Sequence, residues 1–219
     1  MRVLRNFLRL LRHRRRDVLR FLHPDSRVCA RSTLDFPLYL AKDTTLKRSQ
    51  IGAYAYVARG SHLVAATVGR YSSIGPECLI GGLGRHPTAY FSTSPLTYSP
   101  KNAVSVAIGG ATQDIGYQET GPVVIAEDVW IGARCIIVDG VTIGRGSIVG
   151  ANTVVTKNIP PYSVVYGSPP QLRPRFTPGI IARLEASQWW QKTPAEIDYA
   201  EMTRIVEWIG PASAKPASD

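Results

Sequence analysis

The sequence predicts an all-β protein: a parallel β-helix of hexapeptide repeats with a projecting loop, an N-terminal amphipathic helix and C-terminal helices. Three observations predict it. From Ile125 to Val155 an aliphatic β-branched residue falls at every sixth position: Ile125, Ile131, Ile137, Ile143, Val149 and Val155. The next residue is small in most steps, as at Ala126, Gly132, Gly144 and Gly150, and the fifth is small or branched, as at Val129, Cys135 and Ser147. An earlier block shows the same spacing through Ile51, Val57 and Leu63, then Val68 after five residues, then Ile74 and Ile80. A period of six is neither the helical 3.6 nor the strand alternation of two. It is a repeat period of parallel β-helices. Each six makes one flat side, and three sides close a triangular coil. The aliphatic residue points inward, and its small neighbour lets the backbone turn the corner.

The elements follow in order. Residues 1–23 read as a basic amphipathic helix, with Leu4, Leu8, Leu11, Val18 and Leu22 near one face, arginines elsewhere and Pro24 as the stop. Such a helix suits an anionic membrane surface or packs on the protein body. Residues 24–50 show no repeat and read as a lead-in that caps an open coil end. The coil spans 51–166, with one short turn near Ala65 to Thr67. Residues 82–122 break it with a Gly-, Pro- and Ser-rich insertion. Long insertions project from one corner and carry function. Pro160-Pro161 ends the strands, and Tyr166 to Pro170 make an exit turn. The extension 167–210 holds one helix over 178–191 and another from Pro194 through Trp208, and 211–219 reads as a disordered tail.

Composition narrows the function classes. The formal charge is +10, but 8 of the 26 Lys and Arg lie in the first twenty residues, and no nucleic-acid motif accompanies them. The three cysteines are odd in number and far apart, which fits packed free thiols and a cytoplasmic protein. The N-terminal apolar residues are interrupted by arginines, so no secretory leader is expected, and residues 1–23 would at most place the protein peripherally at the inner face of a membrane.

Of the four histidines, His86 stands apart. It opens the insertion beside Pro87 and ahead of the hydroxyl-rich run Ser92 to Ser94. An imidazole there is placed to take a proton from an attacking hydroxyl or amine. Position alone leaves a lone loop histidine open to a structural role. His62 and His86 without a cysteine pair do not make a zinc ligand set, so no metal is expected. The glycines recur by six and form no phosphate-binding loop.

Several motifs together resemble a known family. They are Gly84-Arg-His86-Pro, Phe91-Ser-Thr-Ser-Pro95, Asp128-Val-Trp130-Ile-Gly132, Gly150-Ala-Asn-Thr-Val-Val-Thr-Lys157, Tyr166-Gly-Ser-Pro-Pro170 and Trp189-Trp190. Across about residues 50–192 they resemble the hexapeptide-repeat acetyltransferases of the xenobiotic class, which includes antibiotic acetyltransferases and sugar or polysaccharide O-acetyltransferases. The resemblance implies a homotrimer of left-handed β-helices with acetyl-coenzyme A, the acyl donor, lying between subunits and no metal required. His86 matches the catalytic histidine. Trp130, Gly132, Gly150 and Ala151 match the cofactor groove, and Thr156 and Lys157 match the segment near the nucleotide end. Arg173 and Arg175 are candidate partners for the coenzyme phosphates. Arg85 stands where the family has Asn, and Pro170-Gln171 where it has Ala-Lys. The acceptor expected is a sugar hydroxyl of a polysaccharide, lipopolysaccharide or glycolipid. An antibiotic, an amino sugar carried on a nucleotide, or a scaffold without catalysis stay open.

Overall fold

A computed structural model describes residues 21–110 and 113–207. In chain order its strands begin with β1 (Arg27–Val28), β2 (Thr33–Leu34), β3 (Tyr39–Leu40), β4 (Thr45–Lys47), β5 (Gln50–Ile51) and β6 (Tyr56–Val57). They continue with β7 (His62–Val64), β8 (Ala66–Val68), β9 (Ser73–Ile74), β10 (Leu79–Ile80), β11 (Val123–Ile125) and β12 (Trp130–Ile131). The last are β13 (Ile136–Ile137), β14 (Thr142–Ile143), β15 (Ile148–Val149), β16 (Val154–Val155), β17 (Ser163–Tyr166) and β18 (Gln171–Pro174). Every third strand stacks in one sheet, so three sheets form the faces of a left-handed triangular prism. The first face is β1-β4-β7-β10-β13-β16, the second β2-β5-β8-β11-β14, and the third β3-β6-β9-β12-β15-β17-β18. All pairings but β17–β18 are parallel.

The inward residues are the ones the six-residue period selects. Leu46, Val57, Leu63, Ile74, Ile80, Ile125, Ile131, Ile137 and Ile143 are fully buried in one continuous core. Each contributes about 1.5–3 kcal/mol by leaving water. The corners work differently from the sequence expectation. The turn itself is made three residues past the inward one, at Asp128, Arg134, Gly140, Gly146 and Asn152, all with φ between 55° and 79°. The small residue just after the strand serves close stacking instead. A Cβ on Gly132 would come 2.6 Å from the Ala151 nitrogen of the next coil.

The coil starts earlier than residue 51. The stretch 24–50 is not a lead-in, because β1 to β4 are coil strands paired with the next turn. The period is harder to see there. The side from Leu46 to Ile51 has five residues with its left-handed turn at Arg48, like the one from Leu63 to Val68 at Ala65. The expected basic helix lies outside the described residues except for Phe21 to His23, where Leu22 already pairs with Leu40 of the coil. The tail 211–219 also lies outside them.

The exit turn lies within an antiparallel hairpin of β17 and β18, which the sequence reading did not foresee. Beyond it, α2 (Pro178–Ser187) is followed by a 3₁₀ turn at Trp189–Gln191, another at Pro194–Glu196, and α3 (Tyr199–Ile205). The two expected helices are therefore each broken. The insertion holds a 3₁₀ turn at Pro95–Thr97 and a short helix, α1 (Ala103–Ile108), capped by Asn102. The extension packs on the corner between the second and third faces. Arg145 reaches Glu127 at 2.9 Å and Glu185 at 2.6 Å and lies 3.8 Å from the Trp190 ring centre. Arg70 donates to the carbonyls of Trp190 and Lys192.

Candidate active site

His86 sits two residues beyond Gly84, at the root of the insertion where the first face turns into the second. Its Nδ1 lies 2.8 Å from the Thr93 carbonyl oxygen and 3.0 Å from the Tyr98 hydroxyl. A carbonyl can only accept, so Nδ1 carries the proton and donates it to Thr93. The lone pair is then on Nε2, the nitrogen a general base uses. Tyr98 is fully buried, and burial pushes its hydroxyl pKa up, with the negative charge of Glu119 adding to this. The hydroxyl thus stays protonated around neutral pH. Tyr117 donates through its hydroxyl to the His86 carbonyl at 3.0 Å, and the Glu119 carbonyl accepts from the Arg85 N–H at 2.7 Å. The insertion holds its histidine from both sides.

Around the imidazole lies a set of aromatic rings. Tyr90 and Phe91 have ring centres 4.6 Å apart, Tyr98 meets Tyr90 edge-on at 6.4 Å, and Tyr117 lies 6.0 Å from Tyr98. Phe91 is 80% exposed. An exposed ring on the loop that carries the histidine offers a stacking surface to a ring-shaped molecule.

The other expected site residues divide. Trp130 points outward from the third face and is 54% exposed. Gly132, Gly150 and Ala151 lie at the next corner, between the third and first faces, stacked with Gly75. Gly75 and Gly132 are buried under the next coil, Gly150 is half-buried and Ala151 exposed, with Arg134 and Asn152 exposed at the turn of the same corner. Thr156 and Lys157 are exposed at a different corner, the one that carries the insertion, two coils beyond its root. They line a cavity of about 350 Å³ at the end of the coil, together with Val155, Asn158, Pro170 and Leu172. Arg173 is exposed on β18. Arg175 does not stand free for a phosphate. Its Nη1 donates to the Gly146 carbonyl at 2.7 Å and faces the Asp128 carboxylate at 3.4 Å. Among the described residues no three His, Cys, Asp or Glu converge as a metal site.

His86 and Trp130 stand at one level of the prism, since β10 and β12 belong to the same coil. They lie on opposite sides of it, the corner of the first and second faces against the third face. The sequence reading named the residues but could not place them. It quoted Thr93 only as part of a hydroxyl-rich run, although its carbonyl is what acts, and it missed the Tyr98 and Tyr117 hydroxyls inside an irregular loop, where no period marks them.

A left-handed coil of sixes is the architecture of a class, the hexapeptide-repeat transferases, and the chain is similar to them. The profile described as bacterial transferase hexapeptide (six repeats) matches residues 122–157. The chain is 32% identical over 162 residues to a chloramphenicol acetyltransferase of Agrobacterium fabrum, covering 71% of this chain and 66% of that one. It is 32% identical over 127 residues to a chloramphenicol acetyltransferase of Klebsiella aerogenes, covering 56% and 58%. The chain thus spans 66% and 58% of these relatives' length, less than two thirds of either. A galactoside acetyltransferase solved in complex with coenzyme A superposes with TM-score 0.51 at 26% identity, covering 65% of this chain and 64% of that one. An N-acyltransferase from Bacillus cereus in complex with dTDP-4-amino-4,6-dideoxyglucose and coenzyme A superposes with TM-score 0.57 at 18% identity, covering 78% and 88%, and so shares the fold.

Proposed function

We propose that the protein is an acetyl-coenzyme A-dependent acetyltransferase that acetylates a sugar hydroxyl, with His86 as general base. The observation that carries this reading is the Nδ1 of His86 held on the Thr93 carbonyl, which leaves Nε2 basic. The acceptor hydroxyl attacks the thioester carbonyl as Nε2 takes its proton. The tetrahedral adduct collapses, the carbon–sulfur bond breaks, and the imidazolium returns the proton to the departing thiolate. The products are an acetate ester and free coenzyme A. The exposed Phe91 ring and its aromatic neighbours favour a ring-shaped acceptor with an apolar face, as a pyranose has. The same rings would also accept an antibiotic, which the chloramphenicol acetyltransferase relatives keep as the second reading.

Acetyl-coenzyme A would lie along Trp130, Gly132, Gly150 and Ala151, with Lys157 and Arg173 as exposed cations for its phosphates. One copy does not bring these to His86. A homotrimer with its axis along the prism joins the His86 of one subunit to the Trp130 face of the next, because both stand at the same level. The exposed apolar residues Leu79, Val154 and Val106 are in keeping with a covered face. Residues 1–23 would add a peripheral contact with an anionic membrane, checked by liposome binding of the chain with and without residues 1–20.

The test is an acceptor screen read by release of free thiol from acetyl-coenzyme A. A sugar hydroxyl acceptor is expected to work, and His86→Ala to lose about 10²–10⁴-fold in kcat. Full transfer by His86→Ala would remove the mechanism, and a monomer by light scattering would remove the shared site.

A further inference from the structure

The insertion that carries His86 leaves the coil and returns to it through a single buried side chain. Asp139 stands at the same corner one coil further on and is 2% exposed. Its Oδ1 accepts the N–H of Gly82 at 3.1 Å and of Gly121 at 3.3 Å. Its Oδ2 accepts the N–H of Leu83 at 2.9 Å and of Gly84 at 3.1 Å. The outgoing and returning strands of a 41-residue insertion, 82–122, are thereby tied to one carboxylate. The backbone is shaped for this. Gly81, Gly82 and Gly84 have φ of 64°, 71° and 77°. A turn of this kind, with left-handed residues beside ordinary ones, points successive N–H groups to one side and makes a concave seat for an anion. At Gly82 a Cβ would also come 2.6 Å from the Val64 side chain, so the root cannot shift inward.

We infer that Asp139 is a positioning residue: it fixes the outgoing root two residues before His86 and thereby sets where Nε2 meets the acceptor. The inference rests on the reading of His86 as the base. A carboxylate suits the task because it only accepts, and four N–H groups aimed at it leave no place for a donor. Arg85 closes the same corner from outside. Its N–H holds the Glu119 carbonyl, and its guanidinium lies over Gly140, where a Cβ would come 2.8 Å from Nη2.

The test is Asp139→Asn in the full chain, with residue-resolved amide exchange beside steady-state kinetics. An amide has one accepting oxygen, so its NH2 must face one pair of N–H groups. Either Gly82 and Gly121, or Leu83 and Gly84, are expected to exchange at least about tenfold faster, and the other pair to stay protected. Turnover is expected to fall about 10- to 100-fold, as a misplaced catalytic group gives. The KM for acetyl-coenzyme A is expected to stay the same, because the expected coenzyme wall is elsewhere on the prism. A faster exchange with unchanged kcat would overturn the positioning role, and unchanged exchange would overturn the clamp itself. If Asp139→Asn does not fold, exchange of the wild-type chain decides. Gly82, Leu83, Gly84 and Gly121 must be protected although the loop around them is exposed, and free exchange at all four would overturn the clamp. If His86→Ala keeps full activity, the reading of the base falls while the exchange result still judges the clamp.

Discussion

Nδ1 of His86 and the carbonyl oxygen of Thr93 lie 2.8 Å apart across seven residues of an irregular loop. This contact fixes the tautomer of the imidazole from the backbone, with no carboxylate among the described residues in the role of orienter. Tyr98 adds its hydroxyl at 3.0 Å from the same nitrogen.

Tyr98→Phe is expected to lower kcat about fivefold, as loss of a hydrogen bond worth about 1 kcal/mol would. The KM for acetyl-coenzyme A should not change, since Tyr98 touches His86 and not the proposed coenzyme wall. Kinetics of the purified variant check this. A drop in melting temperature with kcat intact would assign Tyr98 to packing alone.

The glycine corner has a steric requirement. Gly132→Ala would place a Cβ 2.6 Å from the Ala151 nitrogen, against backbone that cannot turn aside. A loss of about 1–3 kcal/mol is expected in urea unfolding. An unchanged midpoint would mean that the coils can separate locally.

Arg145, held by Glu127 on the prism, joins the C-terminal extension through the Glu185 carboxylate and the Trp190 ring. Arg145→Ala is expected to cost about 2 kcal/mol, less than a fully buried pair because the groups are partly exposed. The cost should appear as faster limited proteolysis within 178–207. Equal proteolysis of both proteins would show that apolar packing suffices to hold the extension.

The three cysteines should react unequally. Cys78 and Cys135 are fully buried, their thiols donate to the Gly132 and Gly150 carbonyls at 3.1 and 3.0 Å, and the neighbouring Cys135 thiol together with burial pushes the Cys78 thiol up. Cys29 is partly exposed, and the Arg31 N–H holds its thiol below the ordinary value, helped by the charges of Arg31 and Arg48. One thiol per native chain should therefore titrate with a chromogenic disulfide reagent. Its rate should rise with pH and level off earlier than that of a free cysteine, because the thiolate forms at lower pH. Rapid titration of all three in the native protein would contradict the packing of the corner.

The coil was legible because burial repeats. Ile125 to Val155 each meet the same constraint, a slot at the centre of a triangle, so one residue type recurs every six positions. The first coils were less legible because two of their sides have five residues, with turns at Arg48 and Ala65. The broken C-terminal helices were missed in part because Gln188, at φ 46°, ends α2 without a glycine to mark it. Arg175 was readable as a cation but not as one already hydrogen-bonded to Gly146 and paired with Asp128.

Asp139 shows where reading by period stops. Glu127, Asp139, Arg145 and Lys157 occupy the same place in their sixes, two residues past the inward one. One clamps a loop, one docks a helix with the help of another, and one lines an open cavity. The sequence by itself determined the coil, its inward residues and the histidine that the insertion presents, because these depend on spacing along the chain. Only the tertiary structure decided the tautomer of His86, the anchoring of its loop and the separation of His86 from Trp130. Those depend on which corner of the prism a residue reaches and on what stands across from it there.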